Sequence, residues 1–133
     1  MAVLHPLTDA AATPEARAIL DEIRAARKSD FVNDFWRVLA HDPALMRATW
    51  ERLQVVMAPG ALDPLVKEMI YVAVSVTNGC SYCVHSHTAA AKAKGMTEAQ
   101  HGELMAVIAM AAQTNALANG LQVEADPVFR AER

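Results

Sequence analysis

Four residues set the chemistry open to this chain. Cys80 and Cys83 are the only cysteines among its 133 residues, and both lie in the run Gly79-Cys80-Ser81-Tyr82-Cys83-Val84-His85-Ser86-His87. At roughly 100° per residue, a helix over this run gathers Cys80, Cys83 and His87 within about 60° of arc and turns His85 roughly the opposite way. Two thiols and one imidazole can therefore converge. A fourth group comes from upstream. If the helices on either side of Asn78-Gly79 form an antiparallel hairpin, Glu68, ten residues before Asn78, lies level with His87, nine after it. Glu68 interrupts an otherwise apolar helix, where a carboxylate must find a partner or take up a proton.

A carboxylate that orients an imidazole, which in turn deprotonates a thiol, is the general form of an activated nucleophile. The helix N-terminus adds partial positive charge beside the thiols and lowers their pKa. The i, i+3 pair is also close enough to bridge, because helix geometry puts the two Cα atoms roughly 5 Å apart. As a structural staple such a bridge would do little, since the loop it closes is so small. Which thiol is the more acidic stays open: dipole and exposure favour Cys80, and the i, i+4 imidazole favours Cys83.

The elements that must position these groups can be read from caps and breakers. Thr13-Pro14-Glu15 is an N-cap followed by Pro at the first helical position, opening a helix to about Lys28. A second helix runs from about Asn33 to Ala40. A third opens at Asp42-Pro43 and runs towards Ala58-Pro59-Gly60. Asp63-Pro64 opens a helix to about Thr77 that is apolar nearly all round, the pattern of a fully buried helix. After Asn78-Gly79 a helix runs from about Cys80 to Lys94. Thr97-Glu98-Ala99-Gln100 is a capping box for the last helix, which ends near Asn119-Gly120. The tail after Val123 is expected to fray. The expected fold is all-α, about six helices in a single domain over residues 1–133 with its core at about 31–119, and a helix–turn–helix carrying the four chemical residues.

Composition agrees. Ala fills 27 of the 133 positions and aromatics only 5%, which favours close-packed helices over sheets. With 53% apolar and 20% charged residues, disorder is excluded. The net charge of −3 offers no electrostatic footprint for nucleic acid. The longest apolar runs, Met69–Val74 and Leu104–Ala112, fall short of the roughly 18 residues a membrane span needs. The opening residues lack the basic start and apolar core of a signal peptide. The cytoplasm is the expected compartment, with no nucleic-acid or membrane partner.

The pattern Glu68, Cys80, Cys83, His87, with gaps of twelve, three and four, resembles the signature of the alkylhydroperoxidase D (AhpD)-like branch of the carboxymuconolactone decarboxylase superfamily. The Asn78-Gly79-Cys80-x-Tyr82-Cys83-Val84-His85-x-His87 stretch is similar to its peroxidase-related members. The similarity extends from about Phe31, through His41-Asp42-Pro43-Ala44-Leu45 and Leu62–Pro64, to about Asn115. The resemblance implies an all-helical fold and thiol-dependent reduction of a small hydroperoxide, with a dithiol as reductant and no cofactor. Carried over by position, Cys83 attacks the peroxide, Cys80 resolves the sulfenic acid as a disulfide, and Glu68 and His87 form the proton relay. The founding pattern has a histidine just before the second cysteine. This chain has Tyr82 there, which can hydrogen-bond but cannot act as a base near neutral pH. The decarboxylase branch lacks the paired cysteines, which disfavours decarboxylation.

Other readings of the same residues compete. Cys80, Cys83 and His87 supply three zinc ligands and Glu68 a fourth, but structural zinc sites draw ligand pairs from two separated segments and no second C-x-x-C exists. A non-catalytic redox sensor, or a decarboxylase or isomerase using Glu68 as base, would keep the same fold. Elsewhere, His5, His41, His85 and His101 read as surface histidines, the methionines as core filler, and Lys92 and Lys94 as a solvated last turn. Trp36 and Trp50 read as packing or interface residues. Tyr71 and Ser75 share a helical face with Glu68. The two helices apolar over most of their circumference exceed what one small domain can bury, so self-association is expected. The resemblance implies a homohexamer built as a trimer of dimers, with a dimer as the fallback.

Overall fold

The computed structural model describes residues 2–130 and is all-α, as expected. Six helices follow in order: α1 (Pro14–Arg27), α2 (Asp34–Leu39), α3 (Pro43–Met57), α4 (Pro64–Thr77), α5 (Ser81–Ala93) and α6 (Glu98–Gly120). A single 3-10 turn, Pro127–Phe129, interrupts the segment expected to fray, and no strand occurs among the described residues. The caps act where the sequence places them. Thr13, Asp42, Asp63 and Thr97 each accept a backbone N–H of the helix they open, and Thr97 with Gln100 completes the capping box. Each such cap satisfies a donor that the first turn would otherwise leave orphaned.

The chain divides into two compact units, Met1–Ala58 and Pro59–Arg133. In the first, α3 packs against α1 and α2 around Ala16, Ile19, Leu20, Ile23, Trp36, Met46 and Trp50. Trp36 and Trp50 meet edge to face with ring centroids 5.3 Å apart, so both are packing residues.

In the second unit, α4 packs against α5 and α6. Gly79, at φ +69°, makes the left-handed step between α4 and α5, and the Cys80 N–H closes the turn onto the Ser75 carbonyl. Two expectations fail here. α4 is not fully buried: Glu68, Val72 and Ser75 are buried while Ile70 and Val74 are exposed. α6 has no buried residue at all, and Met105 and Met110 on it are exposed rather than core filler. The physical reason is the small number of neighbours. Within this unit α4 packs on α5 and α6, and α6 packs chiefly on α4, so an apolar pattern running round either helix cannot all turn inward. No helix among the described residues is long and apolar enough to cross a membrane.

Candidate active site

The site is built on the α4–α5 hairpin. Glu68 sits on the second turn of α4, only 5% exposed. Antiparallel packing brings His87 level with it, and His87 Nδ1 lies 2.7 Å from Glu68 Oε2. The pairing expected from residues equidistant from the turn is therefore formed. Glu68 Oε1 is taken by a group the sequence reading put in solvent: Lys94 Nζ donates to it at 3.1 Å. Lys92 alone keeps the surface role, pairing with Glu98 at 3.0 Å.

The electrostatics of Glu68 follow from these contacts. Burial, the largest single influence, pushes its pKa up, while the hydrogen bonds from His87 and Lys94 pull it down and together prevail. The carboxyl ends below its ordinary value of 4.5. Glu68 is therefore an anion at neutral pH despite its burial.

Tyr71, one turn beyond Glu68 on α4, stacks on the His87 ring with centroids 3.5 Å apart and an interplanar angle of 18°. The ring is thus clamped between a carboxylate at its edge and an aromatic face. Burial, and then the charges of Cys83, Glu68 and Cys80, raise the Tyr71 phenol above its ordinary value of 10.0. It shares an electrostatic environment with both thiols and the carboxylate. Ser75, buried on the same face, donates its hydroxyl to the Tyr71 carbonyl at 2.7 Å. Only face-sharing with Glu68 pointed to these two residues in the sequence.

Cys80 and Cys83 are free thiols. Cys80 lies just outside α5 as its N-cap, and its Sγ accepts the Cys83 N–H at 3.3 Å. The thiol pair is strongly asymmetric. The Cys83 thiol and the Cys83 backbone N–H both donate to the Cys80 sulfur and hold the Cys80 pKa below its ordinary 9.0. Burial first, and then the same contact with Cys80, push Cys83 up to about 11. The lower pKa thus falls on the helix cap, the thiol that the dipole argument favoured, while the lowering expected at Cys83 does not occur because burial outweighs the helix N-terminus there. No direct hydrogen bond links His87 to either sulfur among the described residues. The contacts run Lys94–Glu68–His87 on one side and Cys83–Cys80 on the other, with Tyr71 beside both.

Among the described residues, no three His, Cys, Asp or Glu side chains are grouped as metal ligands would be. His85 is exposed and joins none of these contacts, and His41 Nε2 lies 2.9 Å from the His5 carbonyl in the other unit. Tyr82, in the place of the founding pattern's histidine, is also exposed.

Comparison with known proteins follows the same residues. The profile described as Carboxymuconolactone decarboxylase family matches residues 43–125, which include all four chemical residues. The chain is 40% identical over 77 residues to a protein named alkyl hydroperoxide reductase AhpD from Solibacter usitatus, a match covering 58% of this chain and 41% of that one. It is 38% identical over 63 residues to uncharacterized protein 4 in cox locus of Paracoccus denitrificans, covering 47% and 54%. The chain thus spans about half the length of these curated relatives. It is also similar to the crystal structure of an alkylhydroperoxidase AhpD core from Rhodospirillum rubrum, with 57% identity, a TM-score of 0.95 and 99% of both chains covered.

Proposed function

The chain belongs to the carboxymuconolactone decarboxylase family, and on that premise we propose that it is a thiol-dependent peroxidase that reduces small hydroperoxides through a Cys80–Cys83 disulfide cycle. The observation that carries this reading is the hydrogen bond between buried Glu68 and half-buried His87 alongside two hydrogen-bonded free thiols. The names of the relatives from Solibacter usitatus and Rhodospirillum rubrum support the same activity.

Cys83 is the thiol that attacks. Because its pKa is held near 11, it rests as a neutral thiol and must lose its proton as it reacts. His87, oriented by Glu68, takes that proton through the bound peroxide or an intervening water. Cys83 sulfur bonds to the terminal peroxide oxygen, the O–O bond breaks, and the alcohol leaves with the proton, giving Cys83 sulfenic acid. Cys80, the thiol with the lowered pKa, then attacks the Cys83 sulfur. The Cys80 proton passes to His87, the S–O bond of the sulfenic acid breaks, and the departing hydroxide takes that proton from His87 and leaves as water, so that a disulfide results. A dithiol reductant restores the pair by exchange. This chemistry needs no metal and no cofactor, and the reducing cytoplasm is where both thiols would persist.

The same reading includes assembly. Leu104–Gly120 carries no charged residue, and Met110 and Leu117 on it are 54% and 55% exposed. An apolar helix surface of this kind is unusual in a stable monomer. Self-association would cover it, a trimer of dimers being the first expectation and a dimer the second.

Stopped-flow oxidation of the reduced protein by several hydroperoxides, with Cys80→Ser and Cys83→Ser in parallel, tests the cycle. Cys83→Ser should consume no peroxide, and Cys80→Ser should accumulate one sulfenic acid that a dimedone-type probe traps. A wild-type protein that leaves the hydroperoxides intact would overturn the proposal. Light scattering coupled to size-exclusion chromatography tests the assembly, and a monomer at micromolar concentration would contradict it.

A further inference from the structure

We propose that Lys94 is a positioning residue of the site: its fixed positive charge keeps Glu68 anionic while His87 stays neutral, so that the ring proton sits on Nδ1 and Nε2 is left free as the base. This rests on the reading of Glu68 and His87 as a proton relay.

The two carboxylate oxygens of Glu68 each have one partner, His87 Nδ1 at 2.7 Å and Lys94 Nζ at 3.1 Å. An ionised carboxylate only accepts hydrogen bonds, so the proton between Oε2 and Nδ1 must belong to the imidazole. A neutral ring with Nδ1 protonated has its lone pair on Nε2. A carboxylate so deeply buried does not stay ionised alone, because burial favours the neutral acid. If His87 were its only partner, the charge could be balanced in two ways. Glu68 could keep the proton and donate it to Nδ1, which moves the ring proton to Nε2. Alternatively, His87 could become an imidazolium, with both nitrogens as donors. In either case no basic nitrogen remains. A second cation on the other carboxylate oxygen removes this conflict, and Lys94 is that cation.

The backbone delivers Lys94 to this place. It is the C-cap of α5, its N–H bonded to the Ala90 and Ala91 carbonyls, and Gly95 at φ +99° turns the chain away immediately after it. The side chain reaches back from the end of α5 to the second turn of α4. Lys92, two residues earlier and similarly exposed (45% against 41%), points to Glu98 instead. It is a natural control for general charge.

The test reads the His87 ring directly by 15N NMR at neutral pH, on the reduced protein and on Lys94→Met, Lys94→Arg and Lys92→Met. Wild type, Lys94→Arg and Lys92→Met should show the neutral ring protonated on Nδ1. In Lys94→Met, His87 should shift to the imidazolium or to the Nε2-protonated ring. Peroxidase kcat/KM should fall at least about tenfold in Lys94→Met, the change that one pKa unit at the carboxylate produces, and recover in Lys94→Arg. An unchanged His87 spectrum in Lys94→Met, or the same change in Lys92→Met, would overturn the role. The two proposals fail separately. A tautomer change in a protein with no peroxidase activity sinks the function and leaves Lys94 in place. Full turnover in Lys94→Met beside an inactive Glu68→Gln sinks Lys94 and leaves the function.

Discussion

Asp9 and Glu68, one in each compact unit, are both carboxylates held by more than one cation, and the chain uses them for opposite ends. Asp9 takes Arg24 on both oxygens at 2.9 and 2.8 Å and Arg37 at 2.9 Å, tying the N-terminal segment to α1 and α2. All its partners are guanidiniums, which do not give up a proton at any ordinary pH. Glu68 has one fixed cation and one imidazole, so it touches a group that can exchange a proton. The surroundings differ in the same sense. The first unit buries Ile19, Leu20, Ile23, Trp36 and Met46 in an ordinary apolar core. The second, among the described residues, buries only Val72, Ala91 and Met96 of the apolar type, and beside them Glu68 and Ser75. Half of the molecule thus spends burial on cohesion. The other half spends it on lowering the dielectric around a titratable pair, and leaves α6 uncovered.

The largest expected effect lies in the second unit. Glu68→Gln keeps the shape but removes the charge that orients His87, and peroxidase kcat/KM should fall by about 10²- to 10⁴-fold, the usual worth of a general base. Steady-state assays measure it, and a loss under about tenfold would mean that the buried carboxylate is structural after all. The sign with pH is fixed by the direction of the shift. Because the Glu68 pKa is lowered from 4.5, the anion and what depends on it persist above that value and are lost as pH falls through the folded pKa. Glu68→Gln should lack that acid limb.

Next in size is a cut at the first unit's core. Trp36→Ala should cost about 3–5 kcal/mol in denaturant unfolding, as large-to-small changes at fully buried aromatics do. Thiol titration of the molecules still folded should be unchanged. A shift in that titration would show that the core and the site are not separable in the way their composition suggests.

A smaller effect sharpens the thiol asymmetry. Two of the influences that raise Cys83 to about 11 come from Cys80, so Cys80→Ser should bring the Cys83 titration down, leaving burial as the remaining cause. Thiolate absorbance against pH reads this. A Cys83 titration still near 11 would assign the whole shift to burial.

The smallest effect belongs to Asp9. Its pKa is lowered from 3.8, chiefly by the hydrogen bonds from Arg24 and Arg37, so its contribution is present above that pH and is lost as pH falls through the folded value. Asp9→Asn should cost under about 1 kcal/mol at neutral pH, in the range of exposed ion pairs. Thermal unfolding at pH 7 and pH 3 should show the difference between wild type and variant shrinking in acid.

Much of this was legible in the chain. Cap residues followed by proline at Thr13, Asp42 and Asp63, and the Thr97 capping box, mark helix starts because they act within one turn of backbone. The observed starts agree to within a residue. The Glu68–His87 contact was legible because a tight turn makes register a matter of counting. Lys94 was not, since it lies 26 residues from Glu68 and its reach depends on four rotatable side-chain bonds rather than on helix phase. The order of the two thiol pKa values was also hidden. It depends on which sulfur the Cys83 amide and thiol point at, and on a difference in burial within one turn of helix. The exposure of α6 was hidden for a third reason: an apolar pattern shows what a helix can bury, and the number of neighbours decides what it does bury.

The position of Cys80 as the N-cap of α5 ties redox state to the mechanics of a helix end. In the reduced protein its sulfur is the acceptor that satisfies the Cys83 amide. In the proposed cycle that sulfur gives up its negative character to bond with Cys83, and a disulfide sulfur is a poor acceptor. Each turnover would therefore uncap and recap the first turn of the helix that carries His87. The Cys83 amide proton becomes a built-in reporter: its chemical shift and its exchange with solvent should follow the thiol–disulfide state, in step with each equivalent of hydroperoxide added.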